Sequence, residues 1–524
     1  MSHRILKTLG IIAIFILLTG IAQAGDWPMF HHDARHTGYT DESIPDDLEL
    51  LWSYETGGGV ESSPTVSNGV LYVGSNDGNL YALDIATGNL KWKYTIGGVV
   101  SSSPAIYDGI LYIHSNLQDK HIYAIDSDTG NLKWKFKTEM AVDDVASSPV
   151  VVDGTVYVGS SDASDSVGGS VYALDAYTGD LKWRFTKKFD TFVSSPAVSG
   201  GFVYIGSTSG TLYALDKHKG AILWEFSAKG RGKGDMRSSP VVYNGIVYIT
   251  CQYFSWPGLK NRIYAVDASN GALKWEFEME SEGAEYSSPA IYNNVVYVGS
   301  DDGHIYALNA NTGELKWKYK TGYCVCSSPA VSSDGTVFIG SYDGYIYALD
   351  ANTGNLKWKY RTGNWIFSSP AIADKKVFVG SKDGKIYCFG VKSTPIPPPV
   401  VRPTPRPTPT PIPRVVATPP PVTPTSTPAA VLPISPEYFY IIPIALFLIL
   451  LPLIFYARGE RKKLAKTSEK PSPPSLEQKV KKEQISPPIS KSITIERAVY
   501  DPCKRDFIEG ALPRMKEWIN RYDP

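Results

Sequence analysis

Cysteine is scarce in this chain: five serve 524 residues, too few and too scattered to read as a disulfide framework. Cys251, Cys324, Cys326 and Cys388 precede a candidate membrane segment and Cys503 follows it; a bridge such as Cys324 with Cys388 or Cys251 stays open at this level. No spacing of Cys, His or acidic residues suits a metal, no Ser or Cys nucleophile triad stands out, and no kinase or phosphate-loop motif occurs. Residues 25–394 contain no N-x-S/T acceptor. Between Leu48 and Gly390 no helix-sized periodic segment occurs, which excludes a helical domain there. Net charge is missing too, with 52 basic against 52 acidic residues, but the balance is uneven along the chain. Residues 25–394 hold 31 basic and 41 acidic residues, and an acidic domain argues against a nucleic-acid partner.

What is present is a repeat. S-S-P, then V-Y-V-G-S, then D-G-x-L-Y-A-L-D, then T-G-x-L-K-W recurs with S-S-P ending at Pro64, Pro104, Pro149, Pro196, Pro240, Pro289, Pro329 and Pro370. Each unit holds four short runs rich in β-branched and aromatic residues, bounded by Asp-Gly or Thr-Gly turns. Four antiparallel strands per unit of this size predict an all-β, eight-bladed propeller over 48–390. The tryptophan strand carries Trp52, Trp92, Trp134, Trp183, Trp224, Trp275, Trp317 and Trp358. Trp52 precedes the first S-S-P, while the last unit stops at Gly390 without a Trp strand. Strand 48–54 is therefore expected to complete the last blade and hide the sheet edges. The eight tryptophans, with Gly88, Asp84 and their equivalents, read as blade cement, because they recur in nearly every blade while a binding site needs one set.

Spacing separates two faces. From the S-S-P proline to the V-G position is 10 residues in seven units and 11 in one; from the Tyr of Y-A-L-D to the next Trp is always 11. The V-G to Tyr interval is 7 in five units but 9, 13 and 14 in the second, third and fifth, and Trp to the next S-S-P runs from 12 to 16. The variable intervals share one face of an up-and-down ring, so that face is the expected site. Its candidate contact residues are Tyr253, Phe254 and Trp256 on loop 251–262, Arg231 and Arg237 on loop 229–237, and Glu285 on loop 278–285. The last two loops can also pair with each other. Asp162 and Asp165 on loop 160–170 lack an ordered calcium pattern.

The stretch A-L-D-I-A-T-G-N-L-K-W (Ala82 to Trp92) resembles the tryptophan-docking repeat of the PQQ quinoprotein dehydrogenase superfamily. The run Asp26 to Asp33, with His36-Thr37-Gly38-Tyr39, resembles the leader of archaeal surface proteins with PQQ-like repeats. The likeness implies eight blades. The enzymes of that superfamily hold a quinone and calcium at the axis, commonly with an adjacent Cys-Cys pair, a Glu/Asn/Asp cluster and a catalytic Asp. This chain has no Cys-Cys; Cys324-Val325-Cys326 is its nearest approach, and the ligand-bearing insertions are missing. The resemblance therefore implies the fold, with no catalytic residue, PQQ, calcium or other cofactor, or metal site expected. The noncatalytic propeller of the bacterial outer-membrane assembly machinery implies that such a repeat can serve binding alone. His31, His32 and His36 are expected to form part of an ordered cap rather than a metal site.

The flanks suggest topology. Residues 1–24 read as a signal peptide cut after Ala24, and 25–47 as a leader. Residues 391–436 form a Pro/Thr-rich stalk with 17 prolines after 394, about 130 Å long if fully extended. Residues 437–457 read as one transmembrane helix, and the basic cluster from Arg458 places the tail 458–524 in the cytoplasm. Residues 493–524 are patterned as a short ordered element. Together these predict a plasma-membrane, single-pass, noncatalytic surface protein whose propeller binds a protein or glycan. The alternatives are a PQQ- and calcium-dependent dehydrogenase and a transmembrane sensor acting through a cytoplasmic partner.

Overall fold

The structure is a computed structural model that describes residues 25–392, apart from 116–118, 139–146, 162–167, 229–233, 256–257, 281–285 and the side chains of 254–259. The described residues all belong to the first of two compact units. The signal, stalk, membrane and tail segments lie outside them, as do Arg231, Trp256, Glu285 and Cys503. Among the described residues no helix is long and apolar enough to cross a membrane.

Eight antiparallel sheets form the eight expected blades. In the first blade the order is Thr65–Ser67, Val70–Gly74, Asn79–Asp84, Leu90–Thr95 from axis to rim. Val70–Gly74 is buried at every position because both faces of the strand meet neighbouring blades, so its apolar residues run on without alternation. The outer strand Leu90–Thr95 is half-covered and alternates instead. Strand Glu49–Glu55 pairs antiparallel with Lys385–Gly390, Trp52 opposite Cys388, and completes the eighth blade as expected.

Three sets of repeat residues hold blade to blade. Seven indoles donate Nε1–H to a carbonyl of the next blade, from Trp52 to Ile85 at 3.1 Å through Trp317 to Ala351 at 3.0 Å. Each of these rings lies on the glycine of the next Thr-Gly-type turn: at Gly88 a Cβ would come 2.7 Å from Trp52 Cδ2, and its φ is +73°. Asp84 accepts from the turn amides Ala86 and Thr87. The second serine of S-S-P forms a closed belt. The amide of Ser63 donates to Ser103 Oγ, and the chain continues through Ser148, Ser195, Ser239, Ser288, Ser328 and Ser369. The Ser369 amide returns to Ser63 Oγ at 3.0 Å. Eight buried bonds that close on themselves fix the blade number. The first serine acts within its blade: Ser62 Oγ accepts from the Gly74 amide at 3.0 Å.

The leader enters the central channel. Its carbonyls accept amides from the inner strands in ring order: Pro28 from Ile106, Ala34 from Val198, Arg35 from Val242, Thr37 from Ile291 and Gly38 from Val331. Trp27 bridges Val66, and Glu42 accepts the Asp374 and Lys375 amides of the last blade. Inner strands would otherwise present an unpaired edge to the channel. The leader is thus the expected cap, with His31 and His36 buried. Asp26 holds Asn68, and Asp334 holds the Ile44 amide, so it binds at the first-to-second strand turns. That is the face of constant length. On the opposite face the crossovers meet the second-to-third turns, as when Gly57 N–H donates to Asp77 and Val100 N–H to Ser75 O.

Two expectations need correction. The segment 251–262 is not a loop: strands Ile246–Ser255 and Gly258–Asp267 extend the hairpin of the fifth blade, and Gly234–Asp235 adds a fifth strand to it. Period-2 patterning is weak there, so the extra pairing left no signal. The bridges offered for Cys324 are also excluded, since Cys251 and Cys388 are buried thiols outside any disulfide.

Candidate functional site

Tyr253 is not the exposed contact residue expected of it. It is 4% exposed; its hydroxyl donates to Glu278 at 2.9 Å, and the Arg262 guanidinium lies 4.7 Å over its ring. Burial, then Glu278, push its phenol up to about 12. Arg262 also pairs with Glu276 at 3.2 Å and Glu278 at 2.7 Å, a network that braces the long hairpin. The Phe254 side chain lies outside the described residues. The pairing offered between loops 229–237 and 278–285 would run through residues 229–233 and 281–285, which lie outside the described residues; of the rest, Arg237 pairs with Asp235 at 2.8 Å and Glu280 with Lys318 at 2.9 Å.

Arg237 does belong to a cluster. It immediately precedes an S-S-P, and so starts an inner strand beside the axis on the variable-length face. Its guanidinium carbon lies 5.7 Å over the Tyr286 ring, and Tyr286 precedes the next S-S-P. Tyr286 in turn meets Phe367 edge-on at 5.7 Å. Those two residues come from the sixth and eighth blades, and a contact that skips a blade is possible only where the blades converge. From the seventh blade, Tyr342 stacks on Trp365 at 5.1 Å and 7° and packs against Phe367 and Cys326.

Polar groups border these rings. Glu61 pairs with Lys382, whose amide donates to the Trp365 carbonyl at 2.9 Å. Burial holds the Lys382 ammonium below its ordinary range. Asn76 donates from Nδ2 to Glu61 at 3.0 Å, and its Oδ1 is buried without a hydrogen-bond partner among the described residues. The mouth of the ring thus joins aromatic faces from three blades to a guanidinium, an amide and an ion pair. That composition suits a ligand with flat apolar faces and hydrogen-bonding edges.

Tyr286, Tyr342, Trp365 and Phe367 escaped the reading of the sequence, which followed loop length. A signal was there. The column before S-S-P reads Glu61, Ser101, Ala146, Val193, Arg237, Tyr286, Cys326, Phe367, with no consensus beside two invariant serines. Chemistry that differs in every blade is what a single off-centre site requires.

A family model described as outer membrane protein assembly factor BamB matches residues 45–184, 167–324 and 324–393. Among curated proteins, the 1-butanol dehydrogenase (cytochrome c) of Thauera butanivorans is 34% identical over 87 residues, which is 15% of this chain and only 13% of that enzyme's length. Among solved structures, the quinohemoprotein alcohol dehydrogenase from Comamonas testosteroni superposes with a TM-score of 0.60 at 18% identity, covering 73% of this chain and 83% of that one. BamB from Moraxella catarrhalis gives 0.53 at 19% identity, covering 66% and 100%. At such identities the likeness is one of fold.

Proposed function

We propose, from the premise that this chain belongs to the family of the outer membrane protein assembly factor BamB, that it is a noncatalytic binding protein which takes a protein or glycan at the axis mouth opposite its leader. One observation carries the reading. The residues that cement the ring repeat, whereas Arg237, Tyr286, Tyr342, Trp365 and Phe367 form a single non-repeating cluster where three crossovers and one turn converge. Tyr, Trp and Arg are the side chains that dominate binding energies at such patches. The stalk and membrane segment read from the sequence would carry the ring at the cell surface.

The described residues do not offer the donor set of a quinone held with calcium. Among the described residues no three His, Cys, Asp or Glu gather into a metal-sized group. Val325 separates Cys324 from Cys326, and in the leader Phe30, His31 and His36 are buried against one another. Of the two kinds of protein this chain is similar to, an assembly factor and alcohol dehydrogenases, the donor set of the described residues favours the first.

The test is direct. The full chain is screened against a glycan array and a panel of cell-surface proteins, and hits are titrated with Trp365→Ala and Tyr342→Ala. Each substitution should weaken capture at least tenfold, on the order of 1.4 kcal/mol or more. Capture undiminished in both rejects the mouth as the site.

A further inference from the structure

The leader buries two imidazoles in an unusual state. His31 is 2% exposed and His36 0%. His31 Nδ1 lies 3.3 Å from the His36 carbonyl, and His36 Nδ1 lies 3.2 Å from the Pro240 carbonyl. A carbonyl only accepts, so each Nδ1 carries the proton and each Nε2 carries a bare lone pair. Both Nε2 atoms are buried and have no hydrogen-bond partner among the described residues. Burial favours this neutral form in both rings.

An imidazole whose Nδ1–H is held by a backbone carbonyl and whose Nε2 is left bare has the arrangement of a metal ligand. Here two such rings stand with centroids 6.3 Å apart. One ion joined to each nitrogen by a bond of about 2 Å would set two imidazole centroids about 6 Å apart. The backbone is held for it: His31 and His36 sit at φ +54° and +58°, a region costly to residues with a side chain and retained where the surroundings dictate it. The Phe30 ring lies 4.4 Å from His31 and 5.5 Å from His36 and walls both imidazoles with apolar surface. The Asp33 carboxylate is occupied by Arg35 and Thr37; it supplies field rather than a bond.

We propose that His31 Nε2 and His36 Nε2 form a two-nitrogen site inside the leader for a soft monovalent d10 cation, Cu(I). Zinc and calcium need four or more donors, and two neutral nitrogens in an apolar enclosure suit an ion content with two. Both ligands are already deprotonated at Nε2, so binding releases no proton at neutral pH. The bound ion ties the first turn of the leader to its return past the fifth blade.

The full chain is titrated anaerobically with Cu(I) against a chromophoric chelator, with Ag(I) as a redox-inert probe. One ion per chain should be retained, with two-nitrogen coordination by X-ray absorption, and its affinity should drop at least about 100-fold in His36→Gln but not in His32→Gln. The thermal midpoint of the unaltered protein should rise with Ag(I), a readout that needs no variant to fold. Sulfur-only coordination, equal retention in His36→Gln, no thermal shift with Ag(I), or an ordered water bridging the two Nε2 atoms in an ion-soaked crystal would each overturn the proposal.

Discussion

A glycine in each Thr-Gly-type turn is matched to an indole one blade away, which explains why two distant residues recur together. At Gly130 a Cβ would come 2.8 Å from Trp92 Cδ2, with φ +72°. At Gly109, φ is +70° but the nearest atom would be 4.0 Å off. Gly109→Ala should therefore cost about 1 kcal/mol from backbone strain alone, and Gly130→Ala about 1–3 kcal/mol more from the clash. Urea unfolding of the pair separates the two effects; equal losses would contradict ring seating. Histidine gives a second expectation. Burial lowers His31 to about 3, His36 to about 4 and His114 to about 4. The unfolded chain takes up these protons first as acid is added, so stability is complete above pH 6.5 and is lost as pH falls toward 4. Between pH 6.5 and 5 the loss should be on the order of 2 kcal/mol per histidine, and His114→Gln should flatten that slope by its share. A urea midpoint unchanged between pH 7 and 5 would contradict it.

At the scale of elements, strands and blade count were legible because each repeat states both its hydrophobic runs and its turns. The leader's course was not. It is irregular backbone without a period, and its place is set by amides on strands far along the chain, from Val66 to Val331, so only its cap role could be anticipated. The lengthened fifth-blade hairpin escaped for the opposite reason, since Arg262, Glu276 and Glu278 support strand pairing that apolar periodicity does not report. Removal of residues 25–44 should expose particular amides. Ile106, Val198, Val242 and Ile291 donate to leader carbonyls and should lose hydrogen-exchange protection, while Leu71, inside the second strand, should keep it. Retained protection at all four would mean the leader is not what holds them.

For the whole molecule, closure is the governing fact. The seam between the first and last blades is held as six other junctions are: Trp52 donates to Ile85 and lies on Gly88, and Ser369 returns to Ser63. Trp52→Ala should cost about 3–5 kcal/mol, as should Trp134→Ala in mid-ring, and matching urea midpoints would mark the seam as equivalent. A much smaller loss at Trp52 would mean the ring stands without its clasp. Closure also orders events at the ribosome. Strand Glu49–Glu55 is the first of the ring to be made, and its partner Lys385–Gly390 is the last. Seven blades can assemble as they emerge, while the eighth waits for both ends of the domain. Until then one bare β-edge stands at each end of an open crescent, ready to pair with a neighbour's, and crowding during biosynthesis, rather than heat, is the hazard this architecture must survive.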